Sequence, residues 1–274
     1  MELGLRGKVV IVTGGSRGIG RAVAKAFASE GAKVAIGARN EEALRKAAEE
    51  IGGEVLPVSA DLTTWEGVNR LVDTTVEKFG RVDVLVNNAG AAPGDTLETM
   101  DEERFIEGGL KLKLLGYMRC TKAVIPHMRR QGGGRIINII GNDGNRYPYW
   151  EFGATLVNAA CIAMVKALAQ QYGRENILIN AVNPGPVKTE RWDWLVQRFA
   201  GDWGIDFESA NFYAVKSIPL ERLCTPEEVA NLVLFLASDK ASFVNGAVIN
   251  IDGSQMKPLM VAPFILGDRM GKRR

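Results

Sequence analysis

Histidine and cysteine are scarce in this chain of 274 residues, and their scarcity excludes several kinds of catalytic and metal site. The single histidine, His127, falls near the end of a predicted helix, so neither Ser-His-Asp or Cys-His catalysis nor a multi-histidine metal site is expected. The three cysteines, Cys120, Cys161 and Cys224, lie far apart without a CxxC pair, which excludes a disulfide framework and a thiolate zinc site. We therefore expect no metal ion and a reducing, cytoplasmic environment.

Strong net charge and long apolar runs are also missing. Lysine and arginine number 34 against 32 aspartate and glutamate, and the resulting net charge of +2 gives no reason to expect nucleic acid or a membrane surface as a partner. No apolar run approaches the roughly 18 residues that cross a bilayer. Residues 1–7 lead directly into an apolar segment rather than forming a secretion signal. We expect a small-molecule substrate and no nucleic-acid or membrane partner.

Seven short apolar runs alternate with segments of helical periodicity. Most runs are rich in valine and isoleucine without strict alternation, which is typical of strands buried on both faces of a parallel sheet. This alternation predicts an α/β fold, a single domain over residues 1–274 with a doubly wound parallel sheet and helices on both faces. The predicted strands are residues 8–13, 33–38, 54–59, 82–87, 135–140, 177–182 and 247–251, and the predicted helices are residues 18–30, 41–51, 64–79, 101–130, 155–172 and 226–238.

Two segments depart from this alternation. Residues 189–217 carry seven aromatic side chains and are interpreted as a lid over an apolar site beside the strand ends, with a helical pair packed on the core as the alternative. Residues 257–274 contain two prolines and a basic end. We interpret this second segment as a C-terminal tail on the surface or at a subunit contact.

A glycine-rich loop follows the first predicted strand. Residues 13–20 read Thr-Gly-Gly-Ser-Arg-Gly-Ile-Gly, and such glycines let the backbone turn tightly and approach a pyrophosphate held at a helix N-terminus. This TGxxxGxG spacing, Asn-Asn-Ala-Gly at residues 87–90 and Pro-Gly at residues 184–185 together resemble the short-chain dehydrogenase/reductase family. The resemblance covers residues 5–255. It implies a single Rossmann-type domain with seven parallel strands, assembled as a homodimer or homotetramer.

The resemblance also implies a dinucleotide cofactor, and local charge indicates which one. NAD-binding members typically end the second strand with an acid that holds the ribose 2′-hydroxyl, whereas this chain has Ala38 followed by Arg39. Arg17 adds a second guanidinium in the glycine loop, and two cations without a carboxylate favour the 2′-phosphate of NADP(H), unless both are merely solvated. The predicted cofactor-binding residues are Gly14, Ser16, Arg17, Gly18, Ile19, Gly20, Arg39, Asp61, Leu62, Asn88, Ala89, Gly90, Pro184, Gly185, Val187 and Thr189.

The sequence departs from the family at its catalytic positions. The resemblance implies a set of Asn, Ser, Tyr and Lys, in which the tyrosine hydroxyl transfers a proton and a lysine one helical turn later lowers its pKa. Residues 138–141 read Asn-Ile-Ile-Gly where the family has Asn-x-Ser-Ser, so Gly141 occupies the serine position. The same alignment places Ala154 at the tyrosine position, Asn158 at the lysine position and Lys113 at the asparagine position.

Other residues are candidates for the missing chemistry. Lys113 and Asn158 have exchanged the family's residue types, so the Lys113 ammonium either enters the space of the usual lysine or reaches solvent. Asp143 and Glu151 fall at positions that often line the substrate site in the family, where acids suit a cationic substrate or acid–base catalysis. The alternative for these two acids is a polar surface loop. Tyr149, five residues before the tyrosine position, is the remaining catalytic candidate.

These observations leave three functions open. The retained binding motifs favour an NADP(H)-dependent oxidoreductase with a non-standard proton relay, acting on an apolar or aromatic carbonyl, iminium or conjugated substrate. A redox-neutral lyase or isomerase would instead use Lys113 together with the loop that carries Asp143 and Glu151. The third possibility is a non-catalytic NADP(H)-binding protein.

Overall fold

The computed structural model describes residues 2–90 and 95–255, which form a seven-stranded parallel sheet with helices on both faces. This confirms the predicted α/β fold and its seven strands, while the predicted tail at residues 257–274 lies outside the described residues. The strands are β1 (Val9–Thr13), β2 (Lys33–Ala38), β3 (Val55–Ser59), β4 (Val84–Asn87), β5 (Gly134–Ile139), β6 (Ile177–Pro184) and β7 (Val248–Ile251). The α-helices are α1 (Gly18–Ser29), α2 (Glu41–Ile51), α3 (Trp65–Phe79), α4 (Glu102–Arg104), α5 (Gly116–Arg130), α6 (Asp143–Arg146), α7 (Phe152–Tyr172), α8 (Glu190–Trp203), α9 (Phe207–Lys216) and α10 (Pro226–Ala237).

The order of the strands opens a crevice in the middle of the sheet. The order is β3-β2-β1-β4-β5-β6-β7, so the chain builds outward from β1 in one direction and then from β4 in the other. Beyond the carboxyl ends of β1 and β4 this reversal leaves a gap, the place where open α/β sheets bind ligands. All five residues of β1 are buried, because helices cover both faces of this central strand.

Each face of the sheet has its own hydrophobic core. On one face, Phe27 of α1, Leu44 of α2 and Val233 of α10 are buried against the strands. On the other face, Leu71 of α3 and Val124 of α5 are buried together with residues of α7. Because the apolar stripe of every helix meets an apolar strand face, the alternation read from the sequence is enough to specify these two layers.

The predicted helix at residues 101–130 is helical throughout but is not a single α-helix. The Asp101 side chain caps α4 by accepting a hydrogen bond from the Arg104 backbone N–H at 3.1 Å. Between α4 and α5 the chain is wound as a π-helical segment, Phe105–Leu115. Gly108 and Gly109 lie inside this segment, and glycine supports regular α-helical winding poorly. The apolar periodicity could not reveal this change of winding.

The predicted lid forms the helical pair α8 and α9, which has a small hydrophobic core of its own. Trp192 and Phe199 of α8 and Ala210 of α9 pack there with Trp150, which lies in the loop after β5. The Trp150 and Phe199 rings meet edge to face with centroids 5.2 Å apart. Trp192 also contributes to the wall of a cavity at the strand ends. Both interpretations of this segment are therefore compatible with its structure.

One described helix, Phe152–Glu175, is long and apolar enough to cross a membrane by length and composition, with a mean hydropathy of 1.7. The sequence predicts no apolar segment of this length. Single polar residues interrupt the apolar residues of this helix, so no uninterrupted apolar run of that length is visible in the sequence. Core helices meet the same criterion, and this helix buries Val157, Cys161 and Val165 in the core beneath the sheet.

Asp83, at the start of β4, offers a test of how this sheet is held together. Its Oδ2 accepts hydrogen bonds from the Val9 backbone N–H at 2.9 Å and from Arg81 Nε at 3.0 Å. We expect Asp83→Ala to lower the free energy of unfolding by about 2 kcal/mol in urea denaturation, because a buried N–H group loses its partner. As a control, Glu66→Ala breaks only an exposed pair with Arg70 and should cost less than ~0.5 kcal/mol. Equal losses in the two variants would contradict this assignment.

Candidate functional site

A cavity of about 210 Å³ lies at the carboxyl ends of β4, β5 and β6. Gly90, Ile140 and Pro184 line it from the segments at the ends of these strands. Lys113 of the π-helical segment and Leu195 of α8 contribute to its walls. It therefore occupies the edge of the sheet at which the strand order predicts ligand binding.

The loop between β1 and α1 has the shape of a cradle for a pyrophosphate. Gly14 has a φ of +68°, and a Cβ atom on Gly20 would come 2.2 Å from the Gly14 carbonyl oxygen, so both positions favour glycine. Arg17, the N-cap residue of α1, makes no side-chain capping hydrogen bond, and the first turn contains no acid. The N–H groups of that turn can therefore bind an anion. These features fit a dinucleotide.

Thr13 and Asn88 join the ends of β1 and β4 beneath this loop. The Thr13 hydroxyl accepts hydrogen bonds from the backbone N–H groups of Asn88 at 2.8 Å and Ala89 at 3.0 Å. The Asn88 side-chain amide donates to the carbonyl oxygens of Thr13 at 2.9 Å and Gly14 at 3.2 Å. Asn88 and Ala89, both predicted to bind cofactor, thus hold together the two strand ends that flank the crevice.

The arginines predicted to bind the 2′-phosphate lie at exposed positions. Hydrogen bonds from Thr63 and the charge of Arg39 lower the pKa of Asp61, which lies after β3. Arg39 follows β2 and is exposed, as a phosphate ligand requires. Arg17 is also exposed, and its Nη1 lies 3.5 Å from Glu190 Oε2 at the start of α8. The contacts of Arg17, Arg39 and Asp61 with a cofactor stay predictions.

The other predicted cofactor residues lie in the glycine loop, in the buried core or at the wall of the cavity. Their roles as cofactor ligands also stay predictions. The glycine loop lies close to the start of α8. A Cβ atom added to Gly18 would be 3.7 Å from Thr189 Cγ2. Ser16 and Gly18 belong to that loop, and Leu62 is buried in the core beneath the sheet. The remaining residues line the cavity: Ile19, Gly90, Pro184, Gly185, Val187 and Thr189.

Lys113 is buried at the wall of the cavity, with 6% of its surface exposed. Its ammonium donates a hydrogen bond to the Ile140 carbonyl oxygen at 2.5 Å. Gly90 leaves room for it, because a Cβ atom at that position would come 2.7 Å from Lys113 Cβ. Burial lowers the pKa of Lys113 to about 8. The alternative in which this ammonium reaches solvent is therefore wrong.

Gly141 and Asn158 meet on another side of the cavity. Asn158 Nδ2 lies 2.8 Å from where a Cβ atom on Gly141 would be, and the φ of Gly141 is +143°. Asn158 is buried, and its Oδ1 accepts no hydrogen bond from any residue that the structure describes. A buried acceptor without a donor is destabilising, so Asn158 Oδ1 would be stabilised by a hydrogen-bond donor that enters the cavity. Ala154, predicted from the sequence to occupy the tyrosine position, presents only a methyl group to the cavity.

Asp143 and Glu151 lie side by side on the segment that follows β5. Burial and the neighbouring Asp143 carboxyl group, to which Glu151 is hydrogen-bonded, raise the pKa of Glu151 well above its usual range. Two carboxyl groups in contact favour a state in which they share one proton. Both line the cavity, so the alternative of a polar surface loop is wrong.

Two arginines that line the cavity were not predicted from the sequence. Arg146 lies in α6 and Arg191 in the first turn of α8. The charges of both guanidinium groups act to lower the pKa of Glu151, against the effect of burial. The proximity of Arg146 to Asp143 in the sequence was a usable signal. Nothing in the local sequence linked Arg191 to the segment after β5.

Tyr149 begins a short 3₁₀ turn, Tyr149–Glu151, just before α7. Its side chain lies outside the described part of the chain, and its catalytic role stays a prediction. Among residues 2–90 and 95–255, no group of three or more His, Cys, Asp or Glu side chains could hold a metal ion.

Comparisons with known proteins agree with this geometry. A family model described as enoyl-(acyl carrier protein) reductase matches residues 14–254. The chain is 38% identical over 258 residues to 3-oxoacyl-(acyl-carrier-protein) reductase FabG of Thermotoga maritima, which covers 91% of this chain and 98% of that protein.

Two solved structures extend the likeness to three dimensions. L-sorbose reductase from Gluconobacter frateurii, complexed with NADPH and L-sorbose, has a TM-score of 0.87 at 33% identity, over 94% of this chain and 100% of that one. An actinorhodin polyketide ketoreductase with NADPH has a TM-score of 0.88 at 30% identity, over 92% of this chain and 98% of that one. On these matches, the chain belongs to the short-chain dehydrogenase/reductase family of oxidoreductases.

Proposed function

We propose that this protein is an NADP(H)-dependent oxidoreductase that acts on a carbonyl group through a non-standard proton relay. The observation that carries the proposal is the buried Lys113 ammonium, which lines a cavity next to a loop shaped for a dinucleotide. Two similar structures, the L-sorbose reductase and the ketoreductase, contain NADPH. The family match includes the glycine loop itself.

The chain's own residues account for how the cofactor would be held. The N–H groups of the glycine loop and of the first turn of α1 bind the pyrophosphate. Arg39 and Arg17 bind the 2′-phosphate, because planar guanidinium groups match its oxygens. Pro184 and Thr189 flank the nicotinamide. When bound, the nicotinamide supplies or accepts the hydride.

The proposed relay is non-standard because the family's four catalytic groups are replaced. Gly141 and Ala154 carry no hydroxyl group where the family has serine and tyrosine. Asn158 takes the lysine position, and Lys113 takes the asparagine position. Of these four replacements only Lys113 can donate a proton, so we assign the proton transfer to it.

Lys113 performs two tasks in the proposed reduction. As the carbonyl carbon accepts the hydride, its oxygen becomes negative, and the ammonium stabilises that charge and donates a proton to it. A pKa of about 8 keeps most of this group protonated at neutral pH while making the proton easier to transfer. After the product leaves, water that enters the cavity returns a proton to the neutral amine.

Asn158 and the acid pair orient the substrate in this scheme. The unpartnered Asn158 Oδ1 accepts a hydrogen bond from the product hydroxyl. Burial and the adjacent Asp143 carboxyl group raise the pKa of Glu151, and the hydrogen-bonded acid pair forms a fixed polar wall against which the substrate is oriented.

The substrate that we propose has an apolar or aromatic body. Trp150, Trp192 and Leu195 line the cavity and can pack against such a group. An iminium or conjugated substrate is also compatible, because neither requires a strong proton donor at the reacting atom.

A redox-neutral lyase or isomerase is the second candidate, and the lowered pKa of Lys113 favours it. With a pKa of about 8, roughly one in ten of these groups is a neutral amine at pH 7 and could attack a carbonyl carbon. Borohydride trapping of a substrate on Lys113, without any change in nicotinamide absorbance, would favour this candidate. Stabilisation by NADPH without turnover of any kind would instead indicate the non-catalytic alternative.

We also propose that the protein assembles as a homodimer or homotetramer. Leu115, Met118 and Leu156 are 37%, 46% and 46% exposed. They lie on the π-helical segment, α5 and α7, and the π-helical segment packs against both helices. Exposed apolar side chains on neighbouring elements are typical of surfaces that a second subunit covers.

Arg39 provides the test of cofactor choice. We expect Arg39→Ala to raise the KM for NADPH about 10- to 100-fold, the effect of losing one charge-assisted hydrogen bond, and to leave the KM for NADH nearly unchanged. Absorbance at 340 nm measures both values. Arg45→Ala, which removes an exposed arginine of α2 paired with Glu41, is the control and should change neither. Equal effects on NADPH and NADH would refute the assignment of Arg39.

Lys113 provides the test of the relay. We expect carbonyl reduction to be independent of pH below about 8 and to fall about tenfold per pH unit above it, because only the ammonium can donate the proton. Lys113→Met should lower kcat by about 10²- to 10⁴-fold and leave the Kd for NADPH, measured by fluorescence, unchanged.

Lys111 supplies the matched control for Lys113. It lies in the same π-helical segment, but it is exposed and paired with Glu107. Lys111→Met should therefore keep both the rate and the pH profile. Full activity of Lys113→Met, or an unaltered pH profile in that variant, would rule out Lys113 as the proton donor.

Light scattering tests the proposed assembly. The molar mass should be two or four times the chain mass of 29.8 kDa. A variant with both Met118→Glu and Leu156→Glu should give the single-chain mass, because charges would be buried in the interface. Leu97→Glu changes an exposed leucine elsewhere and should leave the mass unaltered. A monomeric parent protein would disprove the assembly.

A further inference from the structure

We propose that the substrate carries a carboxylate beside its reacting carbonyl, and that Arg191 binds this carboxylate with help from Arg146. The inference rests on the proposed function, since it names the class of substrate that the same cavity takes. The substrate would be an apolar or aromatic oxo acid. The argument comes from the charges that line the cavity, their positions, and the chemistry of guanidinium groups.

Cations outnumber anions among the side chains that line this cavity. Lys113, Arg146 and Arg191 are the cations, and Asp143 and Glu151 are the acids. With both carboxyl groups ionised, the lining side chains have one positive charge in excess, and Asp252, which is not among them, also acts on Arg146. The contact between Asp143 and Glu151 favours one shared proton, which increases the excess. A partly buried site with surplus positive charge is stabilised when a ligand brings an anion.

The direction of Arg191 indicates that this anion belongs to the substrate and not to the cofactor. Glu190, the preceding residue, extends toward the glycine loop and meets Arg17. Successive residues of an α-helix point about 100° apart, from 3.6 residues per turn, and Arg191 lines the cavity instead. The charged groups that act on Arg191 are Glu151, Asp143 and Arg104. None of these belongs to the glycine loop, so the exposed Arg191 side chain points toward the segment after β5 and away from that loop.

Guanidinium chemistry selects the kind of anion. Arginine presents parallel N–H donors that match the two oxygens of a carboxylate.

The rest of the cavity wall suits the remainder of an oxo acid. Trp150, Trp192 and Pro148 are apolar lining residues. Lys113 lies in the π-helical segment, and its ammonium is bonded to the Ile140 carbonyl oxygen after β5. A substrate with a ring, a carbonyl group and a carboxylate therefore finds an apolar wall, a proton donor and a guanidinium group in one cavity.

The kinetic test compares benzoylformate with its methyl ester in NADPH oxidation at 340 nm. We expect the parent protein to prefer the acid. Arg191→Gln should lower the ratio of the two kcat/KM values, acid over ester, about 10- to 100-fold, as for loss of a charge-assisted hydrogen bond. Arg191→Lys keeps the charge but loses the planar fork, so it should restore part of the ratio. A ratio that is the same in all three proteins would overturn the inference.

The control is Lys216→Gln, which removes one positive charge from the same helical pair at an exposed position of α9. It should leave the acid-to-ester ratio at the parent value, since the effect of Arg191 is local and not a general field. A loss as large as that of Arg191→Gln would show that net charge alone sets the preference, and would also overturn the inference.

A binding measurement separates failure of this inference from failure of the proposed function. In the presence of NADP⁺, benzoate should bind the parent protein at least about tenfold more tightly than benzamide by calorimetry, and Arg191→Gln should abolish that difference. Benzoate selectivity without turnover of any oxo acid would support the carboxylate site and count against the oxidoreductase. Equal binding of benzoate and benzamide would overturn the site, whatever the turnover. Tighter binding of phenylphosphonate than benzoate would overturn the carboxylate assignment in favour of a phosphate-type group.

Discussion

The burial of one ammonium group is the constraint on which the arrangement of the cavity depends. Lys113 is held by the Ile140 carbonyl oxygen after β5 and passes through space that Gly90 leaves open after β4. These two features lie on neighbouring strands, and the parallel register that pairs Asn87 with Asn138 brings them to the same level. A buried cation without such a partner would cost several kcal/mol. The chemistry at the strand ends therefore depends directly on how β4 and β5 are aligned.

The second element of the site joins parts of the chain that are far apart in sequence. Glu151 precedes α7 and Arg191 lies in the first turn of α8, yet their charges act on each other across the cavity. The same two regions share the aromatic contact between Trp150 and Phe199. Packing and electrostatics thus act together to position α8. The cavity has its full set of charged side chains only when this helix, which carries Arg191, is in place.

The sheet and the glycine loop could be predicted from the sequence because their signals are local. Val/Ile-rich runs mark buried strands, and glycines mark turns that a Cβ atom would obstruct, as at Gly20. The burial of the Lys113 side chain could not be predicted, because it depends on a contact with Gly90 that only the fold creates. The π-helical winding around Gly108 was hidden because apolar periodicity does not distinguish it from an α-helix. Arg191 was missed because its partners lie on another element.

The contact between Gly141 and Asn158 restricts how this sequence can change. A serine introduced at Gly141 alone would have to adopt a φ of +143° and place its Cβ atom 2.8 Å from Asn158 Nδ2. A lysine introduced at Asn158 alone would bring a second cation into the cavity that already holds Lys113. Asn158 thus limits what position 141 can accept, and Lys113 limits what position 158 can accept. A serine at position 141 or a lysine at position 158 is therefore tolerated only together with a change at a second residue, Asn158 in the first case and Lys113 in the other.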